Sequence, residues 1–283
     1  MTQQQISKEI ENINSQLVNK KSNYQHLVED IILNAKKLGA DEVAVRLSAG
    51  LGLSTNVRMG KIETLEHNQD QSLSLTIYKN KQKASVHGSD LSKGGINNLV
   101  SKVCSLVNFT QADPCGGLIE SKYLATDFPD LDCYHPWAIS VEESVKLAKE
   151  TEQAALDYDS KIKNSEGGAL SSYQGMSVLG SSNGFLKTRF SSRHSLSCSV
   201  IAQEADMMQR DYDYSVKRCA DDLLNPSEIG KLAASKAVKK LNARKVKTQN
   251  TPVIFQADVA TGLISSFLSA ITGSAIYRNA SFL

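Results

Sequence analysis

The sequence predicts an α+β protein in which an N-terminal module, with a helix and an antiparallel sheet, precedes a second module of long antiparallel β-hairpins and helices. Three observations predict this class. Apolar residues with helical spacing alternate with stretches of period two, and turns containing glycine join consecutive extended stretches. A proline-rich stretch without periodicity separates the halves. We therefore expect an N-terminal domain at residues 1–110, an irregular connection at 111–139 and a second domain at 140–283.

The first module opens with two amphipathic patterns. The apolar positions of residues 6–17 are sparse, which favours an exposed arm, whereas the pattern at residues 27–38 is dense enough for a core helix. Gly39 ends that helix because glycine tolerates the left-handed conformation. A further helix from about Ser92 to Asn108 closes the module. Between them we expect strands at residues 41–50, 54–68 and 71–89, with turns at Met59–Lys61 and Lys79–Lys81.

The second module starts with a helix and continues as a series of strands. Ser140 with Glu143 three residues later matches a capping box, in which each side chain caps a backbone donor, so a helix should run to about Asp157. Residues 161–218 are typical of long strands. Their hairpin turns are expected at Asn164–Gly167 and Ser181–Gly184.

The C-terminal part predicts a helix, a strand and another helix. The first helix should be capped by Ser227 and should reach Leu241. "PVIFQ" (252–256) is typical of a short buried strand. "TGLISSFLSAITG" (261–273) has apolar residues at helical spacing and predicts a buried helix.

Composition excludes several classes of protein. With 32 basic and 30 acidic residues, the net charge of +2 gives no general attraction to nucleic acid or anionic lipid. A membrane span would need a run of about 18 apolar residues, and the sequence contains none. We therefore expect no membrane partner and a cytoplasmic location. The five scattered cysteines predict reduced thiols.

Few side chains offer chemistry by themselves. The five histidines are isolated, and no HExxH string is present, so metal ligation is not predicted. Cys198 lies four residues after His194 in an alternating strand; a buried structural cysteine is favoured over a nucleophile. One basic cluster spans Lys236–Lys247. A solvated helix end explains it, and nucleic-acid contact is the alternative, through Lys239, Lys240, Arg244, Lys245 and Lys247.

Several strings together resemble the PmbA/TldE family. The central stretch contains "NSEG", "SNGF", "SSRHSLSCSVIA" and "MQRDYDYS". The N-terminal "AKKLGADEVAVRLSAGLGLSTNVRMGKIETLEHNQDQSLSLTIY" and the C-terminal "TPVIFQADVATGLISSFLSAITGSAIYRNASFL" are similar to the same family. The resemblance covers essentially the whole chain, and because family members continue well beyond "NASFL", it implies that the chain is truncated at the C-terminus.

The resemblance implies a cytosolic protein that pairs with a TldD-like subunit to form a zinc-dependent peptidase acting on unstructured peptides. TldD-like relatives carry a zinc-binding histidine-glutamate motif with a second histidine one turn on. An ungapped overlay places Ser266, Phe267 and Ile271 at those positions, and no His or Glu occurs from Ala257 to Leu283. The resemblance thus implies a non-catalytic subunit without catalytic or metal residues, with zinc in the partner and with Phe267 and Ile271 in the core.

Two alternatives remain open at this point. The family also carries the description "modulator of DNA gyrase", so a regulatory protein that binds a topoisomerase or nucleic acid through Lys236–Lys247 is the main rival. The overall charge argues against DNA as a partner. An independent peptidase with ligands from distant positions is the other. In the favoured interpretation, an exposed strand edge within residues 162–218 binds extended peptides by strand addition.

Overall fold

The computed structural model describes residues 17–283, which fall into two compact units that divide between Asn242 and Ala243. The exposed arm expected at residues 6–17 therefore lies almost wholly outside the described residues. In chain order, the first unit contains α1 (Lys21–Lys37), β1 (Glu42–Arg58), β2 (Lys61–Lys79), β3 (Gln82–Gly88), α2 (Lys93–Leu106), α3 (Val141–Leu156), β4 (Ile162–Ser181), β5 (Leu186–Glu204), β6 (Met207–Lys217) and α4 (Pro226–Lys240).

The strands form one antiparallel sheet in the order β3-β2-β1-β4-β5-β6. The predicted α+β class is confirmed. Strands from the two predicted modules are adjacent, because β1 pairs with β4 from Ala44↔Ser181 to Val57↔Gly168. The domain boundaries at residues 110 and 140 stay a prediction, and one sheet runs across them.

The helices of the first unit pack on one face of this sheet. Core residues of α1 and α2 contact β1, β2 and β3, while those of α3 and α4 contact β4 and β5. Leu170 and Val178 of β4 belong to these two cores, and since they are an even number of residues apart, they share a face. The opposite face, which we name the open face, carries Arg46 of β1, Ser177 of β4 and Arg189 of β5.

Most predicted turns and caps are confirmed. The turns at Met59–Lys61 and Ser181–Gly184 join β1 to β2 and β4 to β5. Ser140 caps α3 by accepting from the Glu143 N–H at 3.1 Å.

Two local predictions were wrong. Asn164–Gly167 is not a hairpin turn but an irregular stretch inside β4, where the pairing with β5 shifts register and Gly167 has φ of +124°. A bulge needs the same left-handed glycine as a turn, so sequence does not separate the two. Ser227 is not the cap of α4: the Asn225 side chain accepts from the Ser227 N–H, and Pro226 occupies the first helical position.

The second unit contains α5 (Ala257–Ala270) and α6 (Gly273–Tyr277). The strand predicted at residues 252–256 was wrong, because that stretch has no regular structure. The helix predicted from Thr261 is confirmed, but its predicted burial was wrong. Its large apolar side chains are 41–61% exposed, namely Leu263, Ile264, Phe267, Leu268 and Ile271. Spacing identifies an apolar helix face, whereas burial also requires a surface that covers it.

Helix α3 packs closely against the sheet at one glycine and against α4 at another. A Cβ at Gly168 of β4 would clash with the Ala148 carbonyl oxygen, and a Cβ at Gly230 of α4 would clash with the Thr151 carbonyl oxygen. Both obstacles are helix backbone, which cannot rotate away as a side chain does. The absence of a side chain at both positions therefore sets the spacing of three elements.

We expect Gly168→Ala and Gly230→Ala each to lower the free energy of unfolding by about 1–3 kcal/mol, because overpacking forces the backbone apart. Urea denaturation followed by circular dichroism measures the change. Gly262→Ala in α5 is the matched control, since no atom lies within 4 Å of the added Cβ. Equal effects at all three glycines would contradict the close-packing argument.

Candidate functional site

The positions predicted to correspond to a degenerate metal motif lie on and beside α5. Ser266 donates its hydroxyl to the Gly262 carbonyl oxygen at 3.0 Å. Phe267 is 55% and Ile271 41% exposed, so the expectation that both are core residues was wrong. A hydroxyl within its own helix, a phenyl ring and an aliphatic chain do not fit a zinc ion, which takes His, Cys, Asp or Glu ligands. Their correspondence to the motif stays a prediction.

Residues 17–283 also contain no group of three or more His, Cys, Asp or Glu side chains that could hold a metal ion. Within the same range, no helix is long and apolar enough to span a membrane.

The basic cluster is divided between ion pairs and exposed cations. Lys240 Nζ lies 2.6 Å from Asp211 Oδ2, and Lys236 Nζ lies 3.0 Å from Asp213 Oδ2. The remaining cluster cations are exposed, namely Lys239 on α4 and Arg244, Lys245 and Lys247 in the irregular start of the second unit. The cluster, for which nucleic-acid contact was the alternative interpretation, is therefore partly neutralised by carboxylates.

The same two aspartates protect the edge of the sheet. Their Oδ1 atoms accept from the backbone N–H groups of Tyr212 and Tyr214 at 2.8 Å. Burial alone would raise the pKa of Asp211, but hydrogen bonds from Lys240 and Tyr212 and the nearby lysine charges lower it overall. A peptide adding to β6 has to displace these contacts, so the geometry disfavours this edge for strand addition.

Cys198 and His194 do not form a nucleophilic pair. Burial, together with the nearby Glu152 charge, raises the pKa of Cys198 to about 12, so its thiol is protonated near neutral pH. Both ring nitrogens of His194 are occupied: Nε2 donates to the His135 carbonyl oxygen at 2.9 Å, and Nδ1 accepts from the Ser172 hydroxyl at 3.0 Å. The favoured interpretation of Cys198 as a buried cysteine agrees with this geometry.

A pocket of about 1080 Å³ lies in the first unit. Its lining combines the sheet strands β1, β4 and β5 with the loop at residues 127–134. The lining includes four cationic side chains, Arg46, Lys187, Arg189 and Arg218, and four aromatic ones, Phe128, Tyr134, Tyr173 and Phe190. Sequence reasoning missed this site because strand pairing assembles it from distant segments. The alternation in "LKTRFSSR" (186–193), which places Lys187 and Arg189 on one face, was the available signal.

Tyr173 reaches across the open face beside this pocket. A Cβ at Gly50 would clash with its hydroxyl and ring, and a Cβ at Gly175 would lie 3.0 Å from the ring. Burial, and then the charge of Asp70, raises the pKa of Tyr173. The absence of side chains at Gly50 and Gly175 thus leaves space for the Tyr173 ring at the pocket wall.

The loop that forms the other wall is attached to β5. The Ser192 N–H donates to the Cys133 carbonyl oxygen at 2.9 Å, and the His135 N–H donates to the Ser192 hydroxyl at 2.8 Å. Trp137 meets the His194 ring edge-on, with 5.4 Å between ring centroids. Burial lowers the pKa of His194, so the attachment contains a neutral imidazole.

Comparison with known proteins places the chain in a family. Models of the PmbA/TldA metallopeptidase domain 1 and central domain match residues 43–107 and 134–241. Over 260 residues the chain is 39% identical to the metalloprotease PmbA of Escherichia coli O157:H7, covering 91% of this chain and 58% of that protein. Over 250 residues it is 42% identical to the PmbA homolog of Haemophilus influenzae, covering 88% and 55%.

Solved structures agree on the fold. A protein from Bacteroides thetaiotaomicron, described as a candidate modulator of DNA gyrase, has a TM-score of 0.84 at 23% identity, with 91% of this chain and 59% of that chain covered. TldE from Thermococcus kodakarensis has a TM-score of 0.70 at 15% identity, with 91% and 57% covered.

The sheet, its helices and the two matched domains define a metallopeptidase-related protein. More narrowly, the chain belongs to the PmbA/TldE family, as the sequence resemblance implied. It spans less than two thirds of the length of the curated relatives named above.

We expect stability to fall on acidification because of His194. Its folded-state pKa is depressed, so its contribution is complete above the unfolded pKa of about 6.5 and is lost as pH falls towards the folded value. The slope is at most about 1.4 kcal/mol per pH unit. Urea titrations from pH 7.5 to 5.5 should show a shallower slope for His194→Gln. His67→Gln, on an exposed position of β2, should keep the wild-type slope, and a wild-type slope in His194→Gln as well would refute the assignment.

Proposed function

We propose that this protein is the non-catalytic subunit of a cytoplasmic TldD/TldE-type zinc metallopeptidase that processes unstructured peptides. The TldD-like partner binds the zinc ion and activates water; this chain contributes surface and peptide contacts. The observation that supports the proposal most is the ligand-free segment around α5, where Ser266, Phe267 and Ile271 occupy the predicted motif positions and no His or Glu occurs from Ala257 to Leu283. A hydrolytic metal site requires such ligands and a base.

The exposed apolar face of α5 supports a role in assembly. Ile264 and Phe267 are 61% and 55% exposed, and they are accompanied by Leu263 and Leu268 on the same helix and by Ile271 directly after it. Contiguous apolar surface of this kind is typical of protein interfaces. The subunit contact that the proposal requires therefore has a surface available on this unit.

The free cysteines support the cytoplasmic location. Cys104, Cys115, Cys133, Cys198 and Cys219 are all unpaired within the described residues. Unpaired thiols are typical of proteins in reducing compartments.

Peptide hydrolysis by three samples tests this proposal: the full-length protein, its histidine-bearing TldD-like relative, and an equimolar mixture, each with and without a zinc chelator. We expect activity only in the mixture, and we expect the chelator to abolish it. Activity of the full-length protein alone would refute the non-catalytic assignment.

The same assay includes an interface control on α5. Phe267→Asp places a charge in the apolar face and should reduce both co-elution with the relative and activity of the mixture, because an unpaired charge is costly to bury. Ser269→Asp, at a polar position of the same helix, is the matched control. Equal loss in both variants would indicate a general effect on the helix and would leave no support for this interface.

The alternative is a regulatory protein that binds DNA gyrase or nucleic acid. The exposed Arg244, Lys245 and Lys247 favour it, and the description of the Bacteroides thetaiotaomicron structure names such a role for that protein. The pairing of Lys236 and Lys240 with aspartates opposes it. If the protein binds DNA directly, its affinity for DNA should decrease steeply as salt is added. A salt titration of DNA binding therefore tests the nucleic-acid form of this alternative.

A further inference from the structure

Four cationic side chains line the pocket, and one of them, Arg218, donates from Nη1 to the Ser192 carbonyl oxygen at 2.8 Å. None of the ion pairs among residues 17–283 involves Arg46, Lys187 or Arg189. Lys187 Nζ lies 3.9 Å from the centre of the Phe128 ring, and Arg189 approaches the Cys133 sulfur at 3.9 Å. Lys236 and Lys240 of α4 and Arg210 of β6 have carboxylate partners, whereas these three cations are uncompensated charge.

Strand register brings the three cations together. Arg46 on β1 pairs with Leu179 on β4, and Leu179 pairs with Lys187 on β5. Arg189 is two residues further along β5 on the same face. Neighbouring strands are about 4.8 Å apart, so the Cα atoms of Arg46 and Lys187 are about 10 Å apart, and side chains of this length reach the space between them. Ser48 and Ser177, joined by a 3.2 Å hydrogen bond, add hydroxyls to that space.

Two of the three aspartates of the pocket wall make contacts within their own loop. Asp130 Oδ1 accepts from the Asp132 N–H at 3.0 Å, and Asp132 Oδ1 lies 3.1 Å from His135 Nε2. These carboxylates hold the loop and do not pair with the three cations. The strands thus contribute positive charge to the pocket, and its loop rim contributes negative charge.

We propose that this pocket binds an extended peptide segment that carries carboxylate groups, with a carboxylate held by Arg46, Lys187 and Arg189. A volume of about 1080 Å³ accommodates several residues rather than a single small anion. Phe128 and Tyr173 supply apolar contact for the rest of the segment. Guanidinium groups match the planar carboxylate through paired hydrogen bonds.

The negative rim favours a peptide over nucleic acid. A phosphate backbone carries a charge on every residue and meets Asp127, Asp130 and Asp132 as it leaves the pocket. A peptide carries its carboxylates at intervals, and it places neutral amide groups at the rim. An acidic peptide can therefore place carboxylates at the cations of the strands and neutral amides at the aspartates of the loop.

The acidic peptide class rests on the proposed function, because it specifies which unstructured peptides the complex would process. Binding itself needs only residues 46–218 of the first unit. Failure of binding and failure of the peptidase proposal are consequently separate results, because the first is measured on this protein without a partner.

Fluorescence anisotropy of labelled, unstructured ten-residue peptides tests the inference. A peptide with three Glu should bind about tenfold tighter than its Gln counterpart at low salt, and the difference should shrink as salt is added. Amidated and free C-termini distinguish side-chain carboxylates from the terminal one. Either source agrees with the proposal; equal affinities of all four peptides would overturn it.

Variants locate the site. Arg46→Gln and Arg189→Gln should each weaken binding of the acidic peptide about three- to fivefold, as expected for partly exposed charge pairs. Arg193→Gln, on the same face of β5 but outside the pocket lining, should leave binding unchanged. All three side chains are exposed, so folding is preserved and a thermal melt verifies it. Equal effects of the three variants, or tighter binding of single-stranded DNA through Arg46 and Arg189, would contradict a carboxylate site.

Discussion

The ladder between β1 and β4 is the constraint on which the rest of the first unit depends. Its 14 residue pairs join segments more than a hundred residues apart and turn two groups of strands into one sheet. Because pairing alternates side chains between faces, the ladder also decides which residues face the helices and which face outwards. A slip by one residue would move Arg46 to the core side and Val45 to the open face. The core and the pocket thus share a single register.

A buried carboxylate reinforces this arrangement from the helix side. Glu152 of α3 is 1% exposed and accepts from the Met59 and Gly60 N–H groups at 2.8 Å, which connects α3 to the turn that joins β1 and β2. A second link runs from the Thr55 hydroxyl to Ser144 at 2.8 Å. Both contacts join a residue of the first matched domain (43–107) to a residue of the second (134–241). Satisfied polar groups in a core specify one packing arrangement, since any alternative leaves them unpaired.

The sequence predicted those elements whose position depends on residues close together in the chain. The helix at residues 141–156 followed from its capping box, and the turn at Ser181–Gly184 followed from its glycine. It failed where the same local signal serves two structures, as at Gly167, whose left-handed backbone suits a bulge or a turn. The exposed face of α5 and the pocket cations could not be predicted in position, because both depend on which distant surfaces meet. For example, no local pattern in the sequence shows that β4 lies between the strand with Arg46 and the strand with Arg189.

The apolar face of α5 and the cations of the pocket differ in chemistry, and each lies on its own unit. Zinc ligands on α5 would bring polar groups that need further hydrogen bonds to orient them, so their absence leaves the helix free to present Leu263, Ile264 and Phe267 to another protein surface. The charges of Arg46, Lys187 and Arg189 act over a longer range than apolar contact and raise the local concentration of acidic segments. Under the proposed function, apolar contact on one unit would serve assembly, and charge on the other would serve peptide capture.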